Sequence, residues 1–365
     1  MQIREIELSE YRNYESFHLE FDHGVTIFYG DNAQGKSNLL EAMYLSLTGA
    51  SYRGAKDREL IHFGNEEAHI KTVIRKKETD YRVDMHLKAG KNKGIAVNRV
   101  PLRKMREFIG LFGGVIFSPE DLKIVKDGPD ARRRFLDTEI SVTNGSYLNA
   151  CQKYKKTLEQ RNRLLKDIAF DERLTETLDA WDETLLRFGK EIISERDAYI
   201  KEIAPIVFRK HAQMTGGKEE LFVSYEPNTA AGEFESKLKK SRAIDLKAKT
   251  TTAGPHRDDL SFRIRANNQP EVDLRTFGSQ GQQRTAALSL KLSEIDFLKE
   301  KTGEDPVLFL DDVFSELDGW RQQYLIDTMS ELQTFITCTG LDEFVDRQVS
   351  IRKAFRIVNG AATNE

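Results

Sequence analysis

Two stretches within the first hundred residues alternate between hydrophobic and polar side chains, which is typical of half-buried β-strands. The alternation over residues 2–21 breaks at the polar segment Tyr11–Tyr14 and predicts an antiparallel hairpin. Val25–Tyr29 is mostly apolar and predicts a buried strand. The alternation returns from about His69 to Val100, with turn residues at Lys91–Gly94. The N-terminal part of the chain is therefore predicted to be rich in β-sheet.

A long helical region follows, in which glycine is scarce and apolar residues recur at alternating spacings of four and three. One heptad-like stripe runs from Leu174 to Ile206, and a second runs from Leu148 to Ile168. Together they predict an antiparallel helical hairpin that turns around Asp171–Glu172 and whose arms extend about 50–60 Å at most. A projecting hairpin and a compact lobe both remain open, and we favour the compact lobe.

Strands and helices are both predicted in the C-terminal part of the chain. After a boundary at Thr215–Lys218, Leu221–Tyr225 predicts a strand and Phe234–Leu246 a helix. Further strands are predicted at Val307–Asp312 and Thr334–Thr339. This mixture of elements indicates an α/β fold.

Composition and charge limit the functions that the chain can have. The 365 residues carry a formal net charge of −3, so any DNA-binding surface must be a local basic patch. Cys151 and Cys338 lie far apart, supply no zinc cluster and suit a reducing compartment. The N-terminus lacks the apolar core of a signal peptide, and no apolar run approaches the about 20 residues of a membrane span. We therefore expect a cytoplasmic protein with no membrane partner.

The stretch Gly30-Asp31-Asn32-Ala33-Gln34-Gly35-Lys36-Ser37 fits the phosphate-loop pattern G-x-x-x-x-G-K-[ST] at every defined position, and Asn38 opens the helix that follows. The glycines let backbone N–H groups point at phosphate oxygens. Lys36 is placed to reach the β- and γ-phosphates, and the Ser37 hydroxyl to ligate Mg²⁺. A strand before this loop and a helix over Asn38–Leu47 give the geometry that holds a triphosphate. All nine residues, from Gly30 to Asn38, are candidate ATP-binding residues.

Three further motifs follow in the order found in ABC-type ATPases. Ser279-Gln280-Gly281-Gln282-Gln283 has the form of the signature motif, whose serine hydroxyl and glycine N–H hold a γ-phosphate at a helix N-terminus. Asp311 and Asp312 end a predicted buried strand, which is the Walker B form. Ser315-Glu316-Leu317-Asp318 stands at the spacing of the D-loop.

These motifs assign roles to individual residues. Asp311 would hold Mg²⁺ together with Ser37, and Asp312 would sit beside the attacking water. We therefore predict Lys36 and Asp312 as the catalytic residues, and ATP and Mg²⁺ as the cofactors. In the ABC arrangement the signature motif acts in trans, on a nucleotide that a second copy of the chain binds.

Departures from the ABC pattern indicate slow turnover. Glutamate is usual where this chain has Asp312, whose side chain reaches about 1.5 Å less far. The switch histidine has no counterpart, because the last histidine is His256; Thr337 or Thr339 stands in that region. No glutamine lies between Val100 and Asp130, where a Q-loop residue is expected. We infer that ATP hydrolysis serves to time a switch and not to give fast turnover. Glu316 is the alternative to Asp312 as the catalytic base.

The chain resembles the RecF family of bacterial recombination mediators along nearly its whole length. The resemblance lies in segments 32–38, 254–259 (Gly-Pro-His-Arg-Asp-Asp), 278–284 and 310–318, supported by Tyr11–Tyr14 and Phe117–Leu122. SMC proteins share the ATPase head but need many more residues for their coiled coil. The resemblance implies ATP-dependent dimerisation on DNA, slow ATP hydrolysis, and cooperation with RecR and RecO. Together these proteins help to load RecA at single-strand gaps and stalled forks.

We therefore expect an α/β fold, an ABC/SMC-type P-loop ATPase head with an inserted helical lobe. The head would comprise residues 1–125, with the phosphate loop, and 250–365, with the signature and Walker B motifs; the lobe would comprise 126–249. The expected function is a DNA-linked ATPase switch in recombinational repair and replication-fork maintenance. An ABC subunit that drives a transporter, and a nucleotide-gated scaffold without useful hydrolysis, are the alternatives.

DNA binding is expected to be double-stranded and independent of sequence, with junctions or gaps as the preferred structures. One group of candidate contacts lies in the strand region that contains Lys76, Lys77 and Arg82, and another is the run Arg132–Arg134. A solvated sheet face explains the first group equally well. Arg12 could reach the nucleotide, or it could be a solvated turn residue.

Overall fold

The computed structural model of the chain describes residues 1–266, 269–314, 317–341, 344 and 350–364. The chain forms two compact units, one of Met1–Asp121 with Leu288–Glu365 and the other of Leu122–Ala287. Residues 250–287 thus cluster with the central unit, whereas the sequence-based expectation grouped them with the ATPase head; the functional division of the chain into head and lobe remains an expectation.

The first unit contains a six-stranded antiparallel sheet in the order β2-β1-β4-β5-β6-β7. Its strands are β1 (Gln2–Tyr11), β2 (Tyr14–Glu20), β4 (Glu67–Lys76), β5 (Thr79–Lys88), β6 (Gly94–Val97) and β7 (Val100–Pro101). One face of β4 and β5 is buried and the other is partly solvated, which produces the alternation seen in the sequence. The predicted hairpin over residues 2–21 is confirmed.

The second sheet of this unit has the order β15-β14-β3-β13-β12-β8 and is parallel except for β15. Its strands are β3 (Val25–Tyr29), β8 (Gly114–Phe117), β12 (Val307–Asp311), β13 (Thr334–Cys338), β14 (Ile351–Val358) and β15 (Ala361–Asn364). The central strands are continuous apolar runs because both faces of a parallel sheet are covered. The β3 and β13 carboxyl ends meet at one edge, which places the loops after them side by side.

Helix α1 (Lys36–Thr48) packs against strands of both sheets. All its residues except Ser37 and Asn38 are buried, so the helix is apolar on nearly every side. Its fixed position explains why the phosphate loop, which immediately precedes it, has a defined shape. Helix α9 (Gly319–Met329) also lies wholly within this unit.

The second unit consists of helices packed on a three-stranded antiparallel sheet, in the order β11-β10-β9. The strands are β9 (Glu219–Glu226), β10 (Asp259–Ala266) and β11 (Val272–Asp273). The helices are α2 (Leu122–Lys126), α3 (Pro129–Thr143), α4 (Gly145–Asp167), α5 (Leu178–Met214), α6 (Phe234–Ala248), α7 (Leu274–Phe277) and the first part of α8 (Gln280–Thr302). The predicted helical hairpin is confirmed as α4 and α5, which belong to a compact unit.

The apolar stripe of α5 is interrupted near Glu195 and Arg196, and the buried seam of the helix explains why. Asp182, Gly189 and Arg196 occupy seam positions and are buried. Gly189 leaves room for Phe234, since a Cβ there would lie 2.4 Å from that ring. The two charged residues are buried because each has an ionic partner: Asp182 pairs with Arg161, and Arg196 with Asp258.

None of the helices in the described part of the chain combines the length and the apolar character that spanning a membrane requires.

Candidate nucleotide-binding site

The phosphate loop connects β3 to α1 and depends on glycine at two positions. Gly30 and Gly35 have φ of 139° and 110°, in the region that favours glycine. A Cβ on Gly30 would lie 2.7 Å from the carbonyl oxygen of Ile357, and one on Gly35 would lie 2.4 Å from Asn13 Nδ2. Any larger residue at either position would therefore force the surrounding chain to move.

The turn between β1 and β2 holds the phosphate loop from outside. Asn13 Nδ2 donates to the carbonyl of Gln34 at 3.2 Å, and the Tyr14 hydroxyl donates to the carbonyl of Gly35 at 3.0 Å. Asn38 Nδ2 donates to Asn13 Oδ1 at 2.8 Å, which joins this turn to the first turn of α1. Sequence reasoning gave Asn13 and Tyr14 no role, because nothing in their local pattern indicates a contact with the loop.

The side chain of Lys36 hydrogen-bonds back to the first residues of the phosphate loop. Its ammonium donates to the carbonyls of Gly30 at 2.6 Å and Asp31 at 2.7 Å. Burial lowers the pKa of Lys36, and the negative charge of Asp312 partly offsets this effect. The ammonium thus lies beside the phosphate-loop cavity, where phosphate oxygens can replace the two carbonyls as its hydrogen-bond acceptors.

Asp311, at the end of β12, is buried and accepts hydrogen bonds at both carboxylate oxygens. Thr337 donates its hydroxyl proton to Oδ1 at 2.8 Å, and Tyr52 donates to Oδ2 at 2.6 Å. Arg53 Nη2 lies 3.4 Å from the same Oδ2. Carboxylate and hydroxyl oxygens are the ligands that Mg²⁺ prefers, so Asp311 and Ser37 fit that ion chemically.

Asp312 turns into the cavity in front of the phosphate loop. Its φ of 53° is left-handed, a conformation that aspartate tolerates better than most residues. Its backbone N–H donates to the carbonyl and the hydroxyl of Thr337, at 3.2 Å and 3.0 Å. The cavity has a volume of about 210 Å³ and is lined by Asn32, Ala33, Gly35, Lys36, Ser37, Asn38, Arg53, Asp312 and Thr337. Loop and Walker B residues distant in sequence therefore share one cavity, of a size suited to the phosphate end of a nucleotide.

The signature motif begins α8 with a reciprocal capping box. The backbone N–H of Gln282 donates to Ser279 Oγ at 3.2 Å, and that of Ser279 donates to Gln282 Oε1 at 2.8 Å. Ser279 is exposed, and its hydroxyl proton is not used by this cap. Gln283 is buried instead, and its amide donates to the carbonyls of Leu274 and Arg275, both at 3.2 Å. Gln283 thus holds the turn that precedes the motif.

The predicted D-loop, Ser315–Asp318, lies only partly within the described residues. Ser315 and Glu316 lie outside them. Leu317 is buried, and Asp318 caps α9 by accepting from the backbone N–H of Arg321 at 3.0 Å.

Residues 2–361 match the family model described as the RecF/RecN/SMC N terminal domain. A protein from Agathobacter rectalis, called DNA replication and repair protein RecF, is 50% identical over 360 residues, which cover 99% of this chain and 98% of that protein. A protein of the same name from Lachnoclostridium phytofermentans is 49% identical over 99% of both chains. The chain belongs to the RecF family of DNA replication and repair proteins.

Solved structures agree with this assignment. The structure of the recombination mediator protein RecF with ATP, in the RecFOR pathway, is 38% identical, has a TM-score of 0.88, and is matched over 97% of its chain and 100% of this one. An Smc head domain from Pyrococcus furiosus shares the fold, with a TM-score of 0.55 at 15% identity over 100% of this chain and 95% of that chain. The expected fold class, an α/β ATPase head of the ABC/SMC type, is confirmed, and the chain is an ATPase of that type.

The motif Gly254–Asp259 lies in the second unit, where its side chains are structural anchors. The buried carboxylate of Asp258 accepts from Arg196 at 3.0 Å, from the Tyr225 hydroxyl, and from the backbone N–H of Asn228 at 2.7 Å. Burial raises the pKa of Asp258, although the hydrogen bond from Tyr225 and the charge of Arg196 act against that rise. This RecF-family motif therefore ties β10 to α5 and β9.

Arg132 is not available as a DNA contact, contrary to expectation, whereas Arg134 of the same run is exposed and stays a candidate. It is 4% exposed and makes a bidentate pair with Asp259, with Nε–Oδ1 at 2.5 Å and Nη2–Oδ2 at 2.9 Å. Arg133 donates to the carbonyl of Asp258 at 2.6 Å and also pairs with Asp130. Both arginines are thus engaged within the second unit.

Several cations of the antiparallel sheet also have partners. Lys76 donates to the carbonyl of Leu111 at 2.9 Å, and Arg82 pairs with Asp84 at 2.6 Å. Arg12 is not a freely solvated turn residue: it pairs with the buried Glu41 at 2.8 Å. Lys77 and Arg99 are exposed, and both lie in turns at the same end of the sheet.

Proposed function

We propose that this RecF-family chain binds ATP with Mg²⁺ at the phosphate-loop cavity, hydrolyses it slowly, and acts as a switch on double-stranded DNA during recombinational repair. The observation that carries the proposal is the single cavity in which Lys36, Ser37, Asp312 and Thr337 meet. A phosphate loop without the Walker B side chains would support binding only. Their presence in the same cavity supports hydrolysis as well.

The residues divide the chemistry among them. Lys36 exchanges the carbonyls of Gly30 and Asp31 for β- and γ-phosphate oxygens, and the N–H groups of the loop donate to the same phosphates. Ser37 and Asp311 would hold the magnesium ion, whose positive charge would offset the negative charge of the phosphates. Asp312 orients the attacking water as the candidate base. Its short side chain, and the threonine in place of a switch histidine, favour slow turnover.

The signature motif is proposed to complete the site of a second copy of the chain. The Ser279 hydroxyl can donate to a γ-phosphate while its oxygen keeps the cap of α8, and the positive end of that helix dipole attracts the same group. ADP lacks a γ-phosphate, so ATP would favour the dimer and hydrolysis would release it. The interface would be isologous, with each chain contributing half of each site.

DNA and protein partners follow from the family. We propose that the chain works in the cytoplasm with RecO and RecR, loading RecA at gaps or junctions, since its solved relatives are described as recombination mediators in the RecFOR pathway. The RecF family name and the inserted lobe argue against a transporter subunit. Exposed Lys77, from the first cationic group, and exposed Arg99, in the turn between β6 and β7, are candidate phosphate contacts at one end of the antiparallel sheet.

The proposed switch is tested by the mass of the protein in solution. Light scattering should show a monomer with ADP, a dimer with ATP, and a protein dimer on duplex DNA when ATP and DNA are both present. A mass that does not respond to the choice of nucleotide would contradict the switch. ATP turnover, measured with and without duplex DNA, separates the switch from a scaffold without hydrolysis.

A further inference from the structure

The segment Ser51–Lys56 after α1 reaches the Walker B carboxylate, although the phosphate-loop pattern assigns it no role. Within it, the Tyr52 hydroxyl lies 2.6 Å from Asp311 Oδ2. We propose that Tyr52 is a positioning residue for the magnesium ligand Asp311, whose carboxylate it holds in the orientation needed for metal binding. The inference rests on the proposed Mg²⁺–ATP site and assigns that site a residue that acts through Asp311.

The ring of Tyr52 is held on both sides. It packs edge-to-face on Tyr44 of α1, with ring centroids 5.9 Å apart, and Tyr44 packs in the same way on Phe309 of β12 at 6.0 Å. The guanidinium of Arg53 lies over the ring of Tyr52, 5.4 Å from its centroid. The phenol oxygen therefore has a fixed position relative to the strand that carries Asp311.

The backbone of the segment is fixed as well. The Ser51 hydroxyl donates to the buried carboxylate of Glu41, and its oxygen accepts from the N–H groups of Arg53 and Ala55, both at 3.2 Å. Glu41 also accepts from Arg12, at 2.8 Å. Glu41 of α1 therefore joins the turn between β1 and β2 to the segment Ser51–Lys56.

Tyr52 acts as a donor in this contact. The Asp311 carboxylate can only accept, so the Tyr52 hydroxyl donates its proton to Oδ2. Arg53 approaches the same Oδ2 at the longer distance of 3.4 Å, and its other nitrogen donates to Asn38 Oδ1 at 3.2 Å. Tyr52 therefore makes the shorter contact to this oxygen. Each carboxylate oxygen has two lone pairs; Tyr52 and Arg53 use both on Oδ2, whereas Thr337 uses one on Oδ1 and leaves the other for metal binding.

Tyr52→Phe tests the proposal, because phenylalanine keeps the ring and removes only the donor. The probe is Mn²⁺, titrated against the protein with a non-hydrolysable ATP analogue, with free Mn²⁺ measured by electron paramagnetic resonance. Loss of a hydrogen bond to a charged group is expected to weaken Mn²⁺ binding about 5- to 20-fold. Binding of the nucleotide in EDTA should not change.

Two variants serve as controls. Tyr81→Phe removes a phenol from β5, where the ring packs edge-on against Phe112 at 5.8 Å, and should leave Mn²⁺ binding unchanged. Asp311→Asn should weaken Mn²⁺ binding more than Tyr52→Phe does.

The outcomes separate the two levels of the proposal. If Asp311→Asn weakens Mn²⁺ binding and Tyr52→Phe does not, or if Tyr52→Phe strengthens it, the role of Tyr52 is refuted and the site stands. If Tyr52→Phe also weakens nucleotide binding in EDTA, Tyr52 supports the pocket as a whole and the positioning role is wrong. If Asp311→Asn itself has no effect, the assignment of the magnesium site fails.

Discussion

Thr337 hydrogen-bonds to both carboxylate-bearing residues of the Walker B pair: its hydroxyl donates to Asp311 Oδ1 at 2.8 Å and accepts from the backbone N–H of Asp312 at 3.0 Å. This residue stands in the region where ABC ATPases place a switch histidine. In the present chain it connects the end of β13 to the end of β12, which fixes the two carboxylates relative to the phosphate loop.

Lys36→Ala should weaken ATP binding by about 10- to 100-fold, the range expected for one or two hydrogen bonds to charged phosphate oxygens. The fold should remain, because the free protein loses only two hydrogen bonds to backbone carbonyls within the phosphate loop itself. Calorimetric titration with ATP measures the effect, and exposed Lys56→Ala is the matched control. A folded Lys36→Ala protein with normal ATP affinity would refute the phosphate-loop assignment.

Asp312→Asn should keep ATP binding and suppress hydrolysis, because Asp311 still holds the metal while the base is removed. Asparagine tolerates the left-handed φ of 53° at this position, so the change tests chemistry with little backbone strain. The measurement is single-turnover ATP hydrolysis beside a binding titration. If hydrolysis persists, the base is another group, with Glu316 the first candidate.

Ser279→Arg should leave ATP binding by the monomer nearly intact and abolish both dimerisation and hydrolysis. Because Ser279 caps α8, Ser279→Ala is the matched control: it removes the cap, at a cost of about 1 kcal/mol, without adding bulk. Light scattering with ATP reports the dimer. Normal dimerisation of Ser279→Arg with ATP would contradict the shared site.

Mixing the two defective proteins gives a second test of the shared site. Ser279→Arg and Lys36→Ala chains, when combined, should form one complete site from the intact Lys36 of one chain and the intact Ser279 of the other. The mixture should therefore hydrolyse ATP faster than either protein alone. No gain on mixing means that the site is not shared or that both sites must act together.

The second unit should lose stability on acidification because of His256. The Thr251 carbonyl, 3.0 Å from Nε2, can only accept, so Nε2 carries the proton and Nδ1 accepts from the Tyr154 hydroxyl at 2.7 Å. Burial lowers the pKa of this histidine from 6.5 to about 4. The unfolded chain therefore binds a proton first, and the stabilising contribution, complete above about pH 6.5, falls as the pH is lowered to about 4.

The size of this effect follows from about 1.4 kcal/mol per pKa unit, which for a fall from 6.5 to about 4 gives a decrease in stability of at most about 3.5 kcal/mol. Urea unfolding of wild type and His256→Asn between pH 7 and pH 4.5 measures it, as the difference in pH slope between the two proteins. The pKa of Asp258 is raised, so this residue changes the free energy of unfolding with pH in the opposite direction. It does so in both proteins, and its contribution therefore cancels in the difference between them. Equal slopes would show that His256 does not titrate on unfolding.

Lys77→Glu combined with Arg99→Glu should weaken binding to duplex DNA and make it less dependent on salt. The log–log salt slope should fall by about 0.9 for each phosphate that the protein no longer neutralises. Sequence preference should not change, since interactions with phosphates carry no sequence information. Arg75→Gln is the control, because Arg75 is already paired with Asp80 at 2.7 Å. Fluorescence anisotropy over a range of salt concentrations makes the comparison, and an unchanged slope in the double variant would exclude this end of the sheet.

The sequence by itself determined the elements that carry the chemistry. The phosphate loop, its flanking strand and helix, and the carboxylates Asp311 and Asp312 were all readable, because each is a local pattern of spacing and hydrophobicity. The helical hairpin was equally visible in its heptad-like stripes. The final β-hairpin, β14 with β15, was not predicted, and neither was α3, since their patterns are short or mixed.

Only the tertiary structure decided which polar residues meet. Asn13 and Tyr14 on the phosphate loop, and Tyr52 and Thr337 on Asp311, are contacts between segments far apart in the chain. It also decided that Arg132, which the sequence shows as part of a basic run, is buried against Asp259. The physical reason is that periodicity encodes which face of an element is buried, whereas a hydrogen bond depends on the packing of whole elements, which local sequence does not encode.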